Sequence, residues 1–531
     1  MSEQKTLSRR DLLKGASAAA LATLPLAAEA AARHWDREVD VVVVGSGTGM
    51  LAALIAANAG LKTLVLEKHP GPGGNTIVSG GVLWIPNNRV MVREGLRDSR
   101  EGALQYLRHL SLGQADQALM TAFVDRGPDM LDYVEKHTSL RWRVSKMMGA
   151  VADYHPEWKG SNVRGRSVEP VQDFVGMAGG ALIGGLLTAL QAKGVPVLTA
   201  TPAKRLIAED TPQGKRVIGI EAEHEGKPLL IRTRRGVLMA SGGFERNWEM
   251  KLHFLRGPSP YTFGTETNEG DGIHMGMALG ADLRNMNEVW GMTVYKGDAE
   301  ANGAHRGGMS LYGQIERRSP GLIAVNRYGE RFNNEGADYD STWRCYHTWE
   351  NWGELGFHNL PAFHICDHRV RSTMTLAGKQ PDEPLPDWVK SAPTLEELAD
   401  KLGIDKAGLL ATVERFNRNA AEGRDPDFHR GESIYDRNGS ADPHATLRPL
   451  TEAPFYGAEV SPADLGTCGG LRVDGNAQVI DVFNRPIANL YASGNTAGIG
   501  SPGALYGGGG GTLGPAMTFS YIAGMELAKK A

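Results

Sequence analysis

The chain has 531 residues, 22% of them charged and 41% apolar, with a formal net charge of -4. That length accommodates two domains, or one large domain carrying an insertion. The charge balance argues against nucleic acid or an anionic membrane as a partner. The 68 glycines occur in clusters rather than in repeats, which favours close backbone approach to something bound. Three cysteines without a C-x-x-C pair signal neither a zinc site nor a redox dithiol, so no metal is expected.

The N-terminal stretch "SRRDLLKGASAAALATLPLAAEAAARH" pairs Arg9 with Arg10 and continues into an alanine-rich run from Ala16 to Ala28. It resembles a bacterial twin-arginine signal, with Leu12 where Phe is usual and A-x-A cleavage positions near Ala30 and Ala32. The run is too short and too alanine-rich for a stable membrane span. Residues 1–35 are therefore expected to be an export signal, and the mature protein is expected in the periplasm.

Residues 38–68 predict a βαβ unit. Val39 to Val44 is an almost continuous β-branched run, as in a strand buried on both faces. Gly45, Gly47 and Gly49 make the turn, Met50 to Asn58 reads as a helix, and Leu64 to Leu66 is a second strand closed by Glu67. Such glycines let a pyrophosphate approach a helix N-terminus, and an acid about twenty residues on accepts a ribose hydroxyl. The fingerprint is incomplete, since Met50 stands at its last glycine position.

Lys68, beside Glu67, is a further candidate contact, and the segment "PGPGGNTIVSGGVLW" (70–84) adds Gly73, Gly74, Asn75, Thr76, Ser79, Gly80 and Gly81. A glycine-rich stretch directly after the acidic strand is typical of FAD proteins. Residues 235–244, "RGVLMASGGF", predict another buried strand ending at Ser241 and Gly242, and 267–283 predict a helix. In 393–431 two helices are expected, the first opened by Thr394 and Glu397 as a capping box. A strand in 489–498 ends at Gly494 and Asn495. Finally, "LYGGGGGTLGPAMTF" leads into a C-terminal helix around Pro515, with Gly511 and Leu513 at its entrance. The five glycines there are expected to form a turn pressed against flavin and substrate, with the helix dipole aimed at the ring. The fold class is therefore α/β with an α+β insertion. A discontinuous Rossmann-like FAD-binding domain (36–289 and 455–531) encloses a substrate domain (290–454).

With these stretches, "ADYHPEWKG", "GRSVEP", "NRYGERFNNEGADYDS", "FHRGE" and "ADLGTCGGLRVD", the chain resembles the fumarate reductase/succinate dehydrogenase flavoprotein superfamily. Within it, the chain is most similar to the 3-ketosteroid Δ1-dehydrogenases. The resemblance implies non-covalent FAD, because the covalent relatives use a His in the Gly-Gly-Ser region and "GGNTIVSGG" has none. It implies an apolar ketone substrate, most often a steroid, and an electron acceptor of unassigned identity. It matches Tyr154, Tyr339 and Tyr506 to the family's active-site tyrosines, and Gly510 to the glycine that lends a backbone N–H.

The roles so implied are chemically coherent. Removing a proton from the carbon beside a ketone requires a polarised carbonyl, which Tyr506 O–H and Gly510 N–H can provide. Tyr339 would take the proton, assisted by Tyr154. A free phenol ionises near ~10, so the site is expected to lower that value. Gly336 and Asp338 replace the family's Ser and Pro before Tyr339, and an inward carboxylate there would raise a neighbouring phenol. The fumarate reductases place an Arg where Tyr339 stands, which argues against an enoate reductase working on a dicarboxylate. A flavoprotein that only carries electrons is the other alternative, and the matched tyrosines argue against it.

Overall fold

A computed structural model describes residues 34–146, 152–172, 178–302, 311–353, 355–503 and 505–529. The expected export signal lies almost wholly outside them. Strand β1 (Arg37–Val44) is central to the larger sheet, with Val41, Val42 and Val43 wholly buried. It runs into helix α1 (Met50–Asn58), with the bounds read from the sequence, and returns in β2 (Thr63–Leu66). Helix α2 (Gly179–Ala192) then leads to β3 (Val197–Leu198) and a meander of β4 (Ala203–Thr211), β5 (Gly214–His224) and β6 (Lys227–Met239).

The insertion contributes β7 (Val289–Tyr295), β8 (Leu322–Asn326), β9 (Ala362–Cys366) and β10 (Phe455–Thr467) to a second, six-stranded sheet, with helix α3 (Tyr339–Cys345) between β8 and β9 in the chain. The chain re-enters the first sheet through β11 (Pro486–Ala492) and ends in α4 (Leu513–Lys529). Pro515 sits in the first turn of α4, where a missing N–H costs no hydrogen bond. β10 pairs with β9 and β7. The second sheet therefore extends past the expected boundary at 454 to Thr467.

In the insertion, the Thr394 side chain accepts from Glu397 N at 3.2 Å and caps Leu395–Leu402. The helix expected within 267–283 is shorter, Asp271–Met277, and starts after Gly270 at a left-handed φ of 83°. Among the described residues no helix is long and apolar enough to cross a membrane.

The register positions the site. β2, β1, β6 and β11 run parallel, with Val44 level with Leu66 and Met239, and Met239 level with Ala492. Their carboxyl ends therefore open onto one place, which is where open α/β sheets bind ligands.

Candidate active site

The four strand ends border a cleft of about 880 Å³. Gly45 turns the chain out of β1 at φ +105°, and a Cβ there would lie 2.1 Å from the Ala240 carbonyl oxygen, so only glycine fits. Gly45, Gly47, Glu67, Lys68, Gly73, Gly74, Asn75, Thr76, Ser241, Gly242, Gly494, Asn495 and Leu513 all line the cleft. The N–H groups of Gly47, Thr48 and Gly49, at the entrance to α1, donate to no acceptor among the described residues. A dinucleotide pyrophosphate is the anion such a helix entrance takes.

Glu67 is buried, with one carboxylate oxygen accepting from Ser46 N at 3.0 Å and Oγ at 2.5 Å, and the other from His69 N at 2.8 Å. It thereby ties β2 to the glycine turn and leaves lone pairs for a ribose hydroxyl. Lys68 lines the cleft but spends its ammonium on Asp271, at 2.8 Å, and Glu269. These features fit FAD.

Five expected contacts do not line the cleft. A Cβ on Gly49 would lie 2.7 Å from that of Ala240 and 3.0 Å from Gly45 O, so this glycine lets helix and strand pack. Ser79, Gly80 and Gly81 face the start of α2 instead: Ala178 N donates to Gly80 O, Gly179 N donates to Ser79 O, and a Cβ on Gly81 would strike Ala178. Gly511 packs beneath the Tyr506 ring and Ser501. The sequence reading missed Ser46, Thr48, Thr201, Asn268 and Thr512, which do line it.

At one end of this cleft the three matched tyrosines meet. Tyr154 and Tyr506 stack with centroids 5.5 Å apart, while Tyr339 stands edge-on to both, at 5.5 and 5.3 Å. The link to the cleft is direct. Thr512 lines it and donates to the Tyr506 hydroxyl at 3.0 Å. Asn495 also lines it and accepts from Trp290 Nε1 at 3.2 Å, and the Trp290 ring stands edge-on to Tyr506 at 4.8 Å.

Each tyrosine is held by its own segment. Asp153, buried, accepts from Trp84 Nε1 at 2.8 Å and from Arg166 at 2.7 Å, while Arg166 also binds Asp98. Removing one partner from such a buried pair costs about 3–5 kcal/mol, so Tyr154 follows a strongly held residue. Arg166 is the arginine of "GRSVEP", whose work is thus to position "ADY". Tyr339 opens α3 because Asp338 caps it, accepting from Ser341 N at 2.9 Å.

The five glycines before α4 are pressed against protein. Cβ atoms on Gly507 and Gly508 would strike the Trp84 indole, and one on Gly510 (φ +95°) would lie 2.5 Å from Val82 O. Ser167 Oγ and Tyr106 OH donate to the carbonyls of Gly509 and Gly507. The Gly510 N–H donates to no acceptor among the described residues, so it is available to a ligand.

The electrostatics correct one expectation. The site does not lower Tyr339. Burial pushes its phenol well above the ordinary value, and contacts with the Tyr154 and Tyr506 hydroxyls raise it further. Tyr154 and Tyr339 keep part of their surface open, yet protein surrounds the hydroxyls closely enough for burial to lead. Tyr154 is likewise raised well above the ordinary value, by burial and then by Tyr435 and Tyr506, with Asp338 adding to it. That last contribution has the sign the sequence suggested. The Asp338 carboxylate is buried and lies 3.7 Å from His155 Nε2. Burial works against the His155 imidazolium, but Glu157 and Asp338 hold its pKa above the usual value.

Two aromatic residues beside the cluster were missed, Trp290 and Tyr435. Tyr435 packs on Tyr154 with centroids 4.9 Å apart and carries the Arg318 guanidinium 4.6 Å over its ring. The motif "FHRGE" ends three positions before it, a signal too distant to single it out. The aromatic residues that follow Tyr339 divide between core and surface. Trp343 and Tyr346 are buried core residues, whereas Trp349 and Trp352 are 60% and 85% exposed.

A family model described as FAD binding domain matches residues 40–513. A 3-oxosteroid 1-dehydrogenase of Mycobacterium tuberculosis is 38% identical, over 93% of this chain and 99% of its own length. A 4-oxocyclohexanecarboxylate 2-dehydrogenase of Sinomonas cyclohexanicum is 34% identical, over 93% of each. The crystal structure of 3-ketosteroid Δ1-dehydrogenase from Sterolibacterium denitrificans, in complex with 1,4-androstadiene-3,17-dione, superposes with a TM-score of 0.84. It is 30% identical and covers 93% of this chain and 100% of that one.

Proposed function

The chain belongs to the FAD binding domain family, and on that premise we propose that it dehydrogenates the carbon–carbon bond beside a ring ketone, with a 3-ketosteroid as substrate. FAD is its cofactor, and its activity is that of an oxidoreductase acting on CH–CH groups. The observation that carries the substrate reading is the meeting of Tyr154, Tyr339 and Tyr506 at the end of the FAD cleft, beside a Gly510 N–H with no protein acceptor.

Bound FAD supplies hydride acceptance, and the chain's residues do the rest. Tyr506 O–H and Gly510 N–H donate to the ketone oxygen, which makes the neighbouring C–H acidic. Tyr339 receives that proton. It does so as the phenolate, a form that burial and its tyrosine neighbours make scarce at neutral pH, and Tyr154 is a hydroxyl in contact with it. Trp290 and Tyr435 pack against this cluster and cover part of it.

The deciding experiment mixes oxidised holoprotein with a 3-ketosteroid under anaerobic conditions and follows the flavin absorbance. Prompt bleaching is expected with the steroid, and the reduced protein should not be reoxidised by fumarate. Bleaching by 4-oxocyclohexanecarboxylate but not by the steroid would move the substrate to the single-ring ketone acid that the Sinomonas relative is named for. We take the FAD to be non-covalent, since "GGNTIVSGG" has no histidine. Acid precipitation of the same preparation should leave the FAD in the supernatant, and yellow precipitated polypeptide would contradict this.

Export rests on Arg9, Arg10 and the alanine-rich run. Replacing both arginines with lysine should hold the protein in the cytoplasm. Recovery of the wild type only from the cytoplasm, with residue 1 intact, would refute export.

A further inference from the structure

Glu245 has no part in the mechanism above, although it stands in the stretch "ASGGFERN" that leaves β6 for the cleft. Its side chain is buried and makes no ion pair among the described residues. The buried ammonium of Lys251 is taken by Asp464 at 2.8 Å. A carboxyl group buried without a cation is costly unless its oxygens are hydrogen-bonded.

They are, by groups from three separate segments. One oxygen accepts from Asn75 Nδ2 at 2.9 Å and from Asn268 Nδ2 at 2.7 Å, and the other lies 3.5 Å from Thr467 Oγ1 at the end of β10. Asn75 and Asn268 both line the FAD cleft. The other end of the Asn75 amide is fixed as well, its oxygen accepting from Thr265 N at 2.7 Å. Gly466, also on β10, leaves the remaining room: a Cβ there would lie 2.9 Å from Asn495 Nδ2 and 3.3 Å from this same Glu245 oxygen. Glu245 thus stands one side chain behind the cleft and joins it to the second sheet.

We propose that Glu245 is a positioning residue for the cofactor: it orients the Asn75 and Asn268 amides in the cleft, and its charge is felt by bound FAD. Its carboxyl faces Asp464 with the Lys251 ammonium bound to it, Arg246 next in the chain, and the Asn75, Asn268 and Thr467 dipoles. Burial and Asp464 hold its pKa above the ordinary carboxylate value, against the Asn268 and Asn75 hydrogen bonds. It therefore changes charge at a higher pH than an exposed glutamate. Once ionised, it opposes the uptake of electrons by a neighbouring flavin. Reduction of the flavin in turn raises its pKa, so part of a proton should be bound at Glu245 on reduction.

The test needs no steroid, so its failure is distinct from failure of the substrate reading. The reduction potential of bound FAD is measured from pH 5 to 9 in wild-type holoenzyme and in Glu245→Gln, together with FAD affinity of the apoproteins. The Gln variant should have the higher potential at alkaline pH, the two curves should converge at acid pH, and FAD should bind roughly tenfold more weakly. Glu245→Asp should keep the pH-dependent potential while still binding FAD more weakly. Coincident or parallel potential curves would overturn the proposal. If neither variant folds, proton uptake on reduction of the wild type decides. An uptake exceeding that of the flavin itself in the weakly acidic range supports the proposal, and its absence refutes it.

Discussion

Tyr339→Phe should leave a folded, FAD-loaded protein that reduces its flavin about 10²–10⁴-fold more slowly with a 3-ketosteroid, the usual cost of losing general-base help. The substitution keeps the ring, and with it the edge-on contacts to Tyr154 and Tyr506. It removes only the hydroxyl that would receive the proton. The structure adds a pH signature. With the Tyr339 phenol held well above the ordinary value by burial and by its tyrosine neighbours, the ionised form is scarce at neutral pH. The wild-type rate should therefore climb as pH rises, by up to about tenfold per unit, without levelling off below about 10. Tyr339→Phe should lack that slope. Single-turnover flavin reduction at matched FAD occupancy measures both. A variant as fast as wild type, or one with the same climb, would remove Tyr339 as the base.

Tyr506→Phe should cost about 10²–10³-fold, the range for losing one donor to a developing oxyanion. The loss should fall on kcat more than on KM, because the donor is worth most when charge has built up on the ketone oxygen. Gly510 N–H remains as the second donor, so this variant should be no more impaired than Tyr339→Phe. The phenyl ring still packs against Trp290 and Tyr154, and the group left without its acceptor is the Thr512 hydroxyl. Stopped-flow reduction across a steroid concentration series separates the two parameters. A change confined to KM would make Tyr506 a binding residue only.

The parts legible in the sequence are those whose cause is local. A run of valines followed by Gly45 demands a buried strand and a turn whatever surrounds it. The strand and helix accordingly fall at Arg37–Val44 and Met50–Asn58. Gly45, Gly47, Glu67, Gly73 and Gly242 were found for the same reason. Gly49 and Gly81 were misread because a glycine marks close approach without saying of what. At Gly49 the neighbour is the Ala240 side chain, and at Gly81 it is the Ala178 backbone. Glu245 and Tyr435 carry no local signal, since their meaning comes from Asn75, Asn268 and Tyr154 elsewhere in the chain.

The sequence by itself determined the α/β class, the βαβ entrance to the cleft and the FAD cofactor, because each is written in a contiguous pattern of β-branched residues and glycines, and its resemblance to a known family singled out three tyrosines. Tertiary structure alone decided what those tyrosines experience. Tyr154, Tyr339 and Tyr506 come from three distant segments, brought together by the Asp153–Arg166 pair, the Asp338 cap and a glycine run packed on Trp84. Their packing desolvates the phenols and sets the Tyr154 and Tyr506 hydroxyls beside Tyr339, so the pKa of Tyr339 rises where the chemistry alone suggested a fall. Desolvation is a property of everything that surrounds a group, and no stretch of sequence around Tyr339 contains it.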